Sequence, residues 1–371
     1  MTTRRLILAG GGHAHLHVLE RLAQGDASAL EVVLVTPSPW QHYSGMLPGW
    51  IEGLYREDDL RIDLRPLAAR ASVSVNWQRV AGLKADERVV ELADGSRLEY
   101  DLLSLDTGAE PALEWAAGLR APLIAAKPIA SFQAAWSALL EELRSRSRPR
   151  LAVVGGGAAG AELSLAIRRR LMRGAATAEI SLVTGRDGLL PGHGSGAREK
   201  VRRALEAASI EVVETVARAA GERLSLGNGR SMTVDAVVAA AGSRAPAWLS
   251  ASQVSTDDQG YVSVDACQRS VSHPDVFAVG DVSARVDVVL PRSGVHAVRA
   301  GPVLAYNLLA ASAGRPLRSY RPSRASLYIM ATGGRSAVAS WGGWSAEGAW
   351  VWRWKDAIDR RFMRRFGPRL G

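Results

Sequence analysis

The chain has 371 residues, enough for two or three domains that each bury a core. Its 47% hydrophobic and 22% charged residues are ordinary for a soluble globular protein, and its single cysteine, Cys267, excludes a disulfide framework and favours a reducing compartment. A net charge of +9 suits anionic partners, but arginine is spread throughout, no nucleic-acid recognition motif is present, and no apolar run reaches the ~18 residues of a spanning helix.

The opening Met1-Thr2-Thr3-Arg4-Arg5 runs into a strand pattern without a secretory signal's apolar stretch. That strand, "RRLILAGGG", is followed by a helix, "HAHLHVLERLAQG". The glycines resemble a dinucleotide cradle, G-x-G-x-x-G, but the third position holds His15 and the fingerprint is incomplete. Residues two apart on a helix point to nearly opposite sides, so His13, His15 and His17 are not expected to converge on a metal. With His15 in place of a packing glycine, the helix is expected to stand slightly farther from its strand. The next strand, "EVVLVT", ends at Thr36. An aromatic-rich stretch, "WQHYSGMLPGW", reads either as a binding wall or as core packing. "LEYDLLSLDTGAEP" is a buried strand ending at a small turn with Thr107 and Gly108, and "RSRSRP" is a polar connector.

The second cradle is complete. Gly155, Gly157 and Gly160 stand at the three positions, between a β-rich "RLAVVGGG" and a helical "AAGAELSLAIRRRLM". The first glycine turns the chain, the second lets backbone approach a pyrophosphate, and the third lets helix close on strand. "EISLVTG" is a strand ending at Thr184, with Arg186 two residues on. "VDAVVAAAGSRAP" is a buried strand with Gly242 in its turn, and "YVSVDACQRS" holds Cys267 in a strand and loop that suit a bystander thiol. "HPDVFAVGDVS" is a strand that delivers Gly280 and Asp281 into a loop, and a helix opens at Gly294 in "PRSGVHAVRAGPVLAYNLL". A hairpin, "SLYIMATGGRSAVASW", precedes the tail "WVWRWKDAIDRRFMRRFGPRLG".

This ordered set resembles the two-dinucleotide-binding-domain flavoproteins of the pyridine nucleotide-disulfide oxidoreductase superfamily. Within it, the chain is similar to type II NADH:quinone oxidoreductases and sulfide:quinone oxidoreductases. "GGGHAHLHVL", "YSGMLPGWIEG", "LLSLDTGAEP" and "WVWRWKDAIDRRFMRRF" are most similar to a subfamily whose members can be fused to selenophosphate synthetase. The resemblance runs over essentially the entire chain. It implies an α/β fold with two Rossmann-like domains, one for FAD and one for NAD(P)H. The FAD domain is expected to be split, about 1–118 and 245–322. The NAD(P)H domain is inserted at about 119–244, and a C-terminal hairpin and helix follow at about 323–371.

By that resemblance Gly10, Gly12 and Ala14 line the FAD pyrophosphate. Thr36 meets the adenosine ribose, where many relatives carry an acid, and the backbone of Val80 meets the adenine. Thr107 and Gly108 lie beside the diphosphate, and Asp281 binds a ribityl hydroxyl with Gly280 making room. Gly294 to Ala297 open a helix whose N-terminus stabilises negative charge on the reduced flavin. His296 in that turn is either an added donor or a core or surface histidine. Gly155, Gly157 and Gly160 hold NAD(P)H with Gly242 nearby. Glu162 either positions nicotinamide or is a first-turn acid favoured by the helix dipole. Thr184 stands where an acid would select NAD, and Arg186 tolerates a 2′-phosphate, so NADPH stays open.

One cysteine cannot form the redox pair of the disulfide reductases or meet the need of the sulfide enzymes for two. Hydride transfer to FAD and onward to a quinone-type acceptor is the leading expectation, although "GVHAVR" has neither glutamine of the type II motif A-Q-x-A-x-Q. A flavin-bound regulatory protein of low turnover and a reductase of a soluble carrier are the alternatives. In the tail, Val351, Trp354, Ile358, Phe362 and Phe366 form one apolar stripe on a helix. Seven basic residues (Arg353, Lys355, Arg360, Arg361, Arg364, Arg365 and Arg369) accompany two acids, Asp356 and Asp359. Such a helix suits an anionic membrane surface, the alternative being that the stripe packs on the core. The expected setting is cytoplasmic, peripheral to the inner face of the membrane, with a homodimer admitted.

Overall fold

The computed structural model describes residues 3–25, 30–173, 178–292 and 294–367. Two parallel five-stranded sheets organise it. In the first the strands lie in the order Val276–Ala278, Leu102–Leu105, Arg4–Ala9, Leu30–Val35, Ser74–Asn76. In the second the order is Leu123–Ala125, Ala236–Ala239, Arg150–Val154, Glu179–Val183, Ile210–Val213. Near-continuous apolar runs such as "LILA" and "LAVV" suit strands covered on both faces, and Leu6, Ile7, Ala152 and Val153 are fully buried.

In both sheets a glycine-bearing strand sits at the centre and the chain moves outward first to one side, then to the other. That reversal leaves a crevice beyond the carboxyl ends of the central strands, where both glycine loops emerge. Antiparallel meanders follow the same plan: Val80–Lys84, Val89–Leu92 and Arg97–Glu99 in one half, and Ala217–Ala220, Arg223–Leu226 and Ser231–Thr233 in the other. The fold is therefore α/β with two Rossmann-like units. The chain passes between them through Glu110–Pro111 and Ser243–Arg244, which pair antiparallel. Arg244 clamps this crossing through Glu110 at 3.1 Å and Glu114 at 3.1 Å.

The C-terminal region departs from expectation twice. The hairpin is a three-stranded sheet, Leu327–Gly333, Ser336–Trp341 and Trp344–Gly348. Gly342, at φ 56°, and Gly343 make the two-residue turn that adds the third strand. In the terminal helix, Ala349–Phe366, the apolar stripe is divided. Val351 and Phe366 are buried and Phe362 is half-buried, but Trp354 and Ile358 are exposed. The inward row instead runs through Lys355 and Asp359, which are buried as an ion pair at 2.8 Å. Pairing is what allows charges to take the inner face. The basic surface shrinks accordingly: Lys355 is inside, Arg360 pairs with Asp356 and Arg365 with Glu20. Arg369 and Ser293 lie outside the described residues. Among the described residues no helix is long and apolar enough to cross a membrane.

Candidate active site

At the first cradle, Gly10 takes φ 99° and lies against the backbone of Asp106 and Thr107, where a Cβ would overlap it. Gly12 caps the helix His13–Leu22. Gly108, at φ 75°, would present a Cβ to empty space. Thr107 beside it has a buried hydroxyl without a partner. Gly280, at φ 71°, turns the chain so that Asp281 faces Lys127, which donates to its carboxylate at 2.7 Å. Thr36 is buried at the end of its strand and its hydroxyl donates to the Ser38 carbonyl at 3.3 Å, while Val80 is buried at the start of its strand. Ala14 is buried in the helix, and Ala297 packs near Gly280.

The three histidines diverge. His15 joins the Gly10 carbonyl through Nδ1 at 2.6 Å and the Ser104 hydroxyl through Nε2 at 2.8 Å. A carbonyl only accepts, so Nδ1 carries the proton and Nε2 accepts from serine. Burial holds its pKa at about 4, which keeps it neutral. His15 thus ties helix to strand by hydrogen bonds where a glycine would do so by contact. His17 packs edge-on against Phe366, and His13 faces Gln41, Tyr43 and Phe362.

The second cradle is tighter. A Cβ on Gly155, at φ 140°, would lie 2.6 Å from the Ala240 carbonyl, and one on Gly160 would fall inside the Gly155 carbonyl. Gly157 faces open space. This is the division of labour a dinucleotide needs: tight turn, open approach, close helix packing. Thr184 is buried at the end of its strand, Arg186 is exposed beyond it, and Gly242 meets Ala112 at the crossing.

Glu162 and His296 stand in separate environments. His296, buried with its pKa lowered by desolvation, faces the Tyr320 hydroxyl at 3.5 Å and lines a small cavity with Gly280, Asp281 and Arg292. Glu162 accepts from the Ala331 amide at 2.7 Å. Burial lifts its pKa to about 7 against the pull of Lys355 and that amide, with Asp359 adding to the rise. Lys355 donates to Asp359 at 2.8 Å and to the Gly45 carbonyl at 2.6 Å, while the Tyr43 hydroxyl donates to Asp359 at 3.0 Å. Burial alone would lower the Lys355 pKa, but the Asp359 and Glu162 carboxylates outweigh it and raise it. Gly294, opening the helix Gly294–Ser312, faces Ser44 of the same aromatic-rich loop. Protein groups that hold protons therefore collect where the loop, the terminal helix and the second cradle helix meet. Lys127, Asp106 and Tyr43 carry no signal in one sequence, since each acquires its role from a distant partner. The i, i+4 spacing of Lys355 and Asp359 is the only hint, and it fits a solvated pair equally well.

A family model described as pyridine nucleotide-disulphide oxidoreductase matches residues 4–301. The chain is 29% identical over 300 residues to the nitric oxide reductase FlRd-NAD(+) reductase of Salmonella agona (strain SL483), covering 78% of this chain and 75% of the relative. The fold matches that of the sulfide:quinone oxidoreductase from the hyperthermophilic bacterium Aquifex aeolicus with a TM-score of 0.82, at 16% identity over 99% of this chain and 93% of the other. A NAD-dependent persulfide reductase from A. fulgidus gives 0.75 at 20% identity, over 91% of this chain and 64% of the other. At these identities the structural likeness concerns the fold.

Proposed function

The chain belongs to the pyridine nucleotide-disulphide oxidoreductase family, which uses FAD with NAD(P)H as substrate, and we propose that it passes electrons onward to a quinone-type acceptor at an anionic membrane surface. In this reading residues 1–118 and 245–322 hold FAD and residues 119–244 hold NAD(P)H. The open approach at Gly108, the unpartnered Thr107 hydroxyl and the loop that presents Asp281 fit the cofactor. FAD, when bound, supplies a hydride acceptor and a two-electron donor in one group. Gly155, Gly157 and Gly160 cradle the nicotinamide dinucleotide, and Arg186 beyond Thr184 leaves room for a 2′-phosphate.

One observation carries the acceptor side. The two faces of the terminal helix serve different ends. Its inner face places Lys355 and Asp359 against Tyr43 and Glu162, and its outer face exposes Trp350, Trp354 and Ile358 at 51%, 37% and 41%. Trp341 and Trp344 add to this apolar surface at 56% and 48%. A quinone takes up two protons with its two electrons, so an apolar docking surface above a proton-bearing cluster suits it. With Cys267 alone, the chain has no cysteine pair to take the electrons instead. A soluble protein acceptor is the second reading, favoured by the relative whose name couples FlRd to NAD(+).

Two tests follow. Asp281→Ala is expected to weaken FAD binding about 10- to 100-fold through loss of a charge-assisted hydrogen bond. Flavin released on gel filtration, measured by fluorescence, checks this; full retention sinks the assignment. Trp350→Ser with Trp354→Ser is expected to abolish sedimentation with anionic liposomes at low salt and to lower turnover with long-chain but not water-soluble quinones. Both side chains are exposed, so melting should not change. A folded variant that still sediments removes the membrane claim.

A further inference from the structure

The first cradle carries a charge that the anion-binding end of a helix does not call for. Asp106 is 6% exposed, and its Oδ2 accepts from the Ala14 amide at 2.9 Å and the His15 amide at 3.1 Å. These are first-turn donors of the helix His13–Leu22, the groups a nucleotide diphosphate takes at such a turn. The carboxylate lies over Gly12, where a Cβ would overlap it, and a Cβ on Gly280 would stand 3.1 Å from Oδ1. Asp106 thus sits between the two glycine loops that would flank the diphosphate.

We infer that FAD binding to this chain is coupled to protonation of Asp106: the ionised side chain competes with the diphosphate, and the neutral one accommodates it by donating its O–H. The inference rests on the FAD reading above. The competition is between like charges for the same two amides, in a position from which water is excluded. Burial already favours the neutral form, lifting the Asp106 pKa to about 7 against the two amide hydrogen bonds, with Asp281 adding to the rise. A second negative group raises it further. FAD binding therefore takes up a proton wherever free Asp106 is ionised, and affinity is expected to fall as pH rises above about 7 and to level off below it.

The other titratable groups facing this position are His13 and His15 from the helix, Asp281 from its loop, and Lys127 paired to Asp281 at 2.7 Å. His296 and Arg292 line the adjoining cavity with Asp281. His13 and His15 are held at about 4 by burial and stay neutral between pH 6 and 8, and the lowered pKa of His296 moves it in the same direction.

The test uses the holoprotein as purified, diluted to equilibrium at pH 6, 7 and 8, with released FAD read by fluorescence. The wild-type Kd should rise about fivefold between pH 7 and 8 and only about twofold between 6 and 7. Asp106→Asn should bind FAD with a Kd independent of pH and tighter than wild type at pH 8. A flat wild-type Kd, or an unchanged slope in the variant, overturns the coupling. Should the variant not fold, wild-type protein decides alone: in weak buffer at pH 8, release of FAD should liberate close to one proton per FAD, and zero overturns the inference. A protein that carries no flavin at any pH refutes the cofactor reading itself, a result distinct from flavin bound without proton exchange.

Discussion

Lys355→Met is expected to destabilise the protein by ~3–5 kcal/mol, because it leaves the buried Asp359 carboxylate without its cation. The side chain that Met retains fills much of the same space, so the loss is electrostatic. It also strips the Gly45 carbonyl of its 2.6 Å donor, loosening the aromatic-rich loop from the terminal helix. The sign of the pH dependence follows from Glu162. Its folded pKa lies above the unfolded value, so its ionisation costs stability as pH rises from about 4.5 to about 7, and the cost levels off above that. Without Lys355 this penalty grows, and the variant should recover part of its stability at pH 5 relative to pH 8. Adding Asp359→Leu should restore much of the loss, since replacing both partners removes the unpaired charge. Thermal unfolding of the two variants at both pH values checks this. A single variant as stable as wild type would mean that the pair is solvated and the terminal helix is not anchored there.

Glu162→Gln is expected to slow flavin reoxidation by a water-soluble quinone about 100-fold below pH 7, the scale on which a positioned proton donor contributes. The amide keeps the size of the side chain but cannot deliver the proton that the raised pKa keeps on the carboxyl near neutrality. The wild-type rate should fall as pH rises through about 7, and the variant should show no such inflection. Stopped-flow mixing of reduced protein with the quinone across pH 5 to 9 reads both. If Glu162 instead serves nicotinamide positioning, reduction by NAD(P)H slows more than reoxidation, and the proton-donor role fails.

The framework of the molecule was legible because its determinants are local. A strand, a glycine turn and a helix N-terminus occupy about a dozen consecutive residues, and both glycine turns could be read from them, as could the strand that leads to Gly280 and Asp281. The third C-terminal strand escaped because "WGGWSAEG" has no alternating pattern, and only the turn at Gly342 and Gly343 foretells it. The inner face of the terminal helix escaped for a stronger reason. Helical spacing groups Val351, Trp354, Ile358, Phe362 and Phe366 together, on the premise that charges face water. Lys355 breaks the premise because its partners include the Gly45 carbonyl, 310 residues away, and no pattern within the helix reports that acceptor. Asp106, in "LLSLDTGAEP", has no local mark either. Its meaning depends on the helix amides it caps, about ninety positions back along the chain.

The most direct measurement follows the flavin absorbance of the purified protein without oxygen, first with NADH or NADPH and then with a water-soluble quinone analogue. The yellow colour is expected to bleach on adding at least one nicotinamide, return on adding quinone, and cycle while both remain. A flavin that bleaches but is not reoxidised by quinone, or that neither nicotinamide bleaches, contradicts the proposed function.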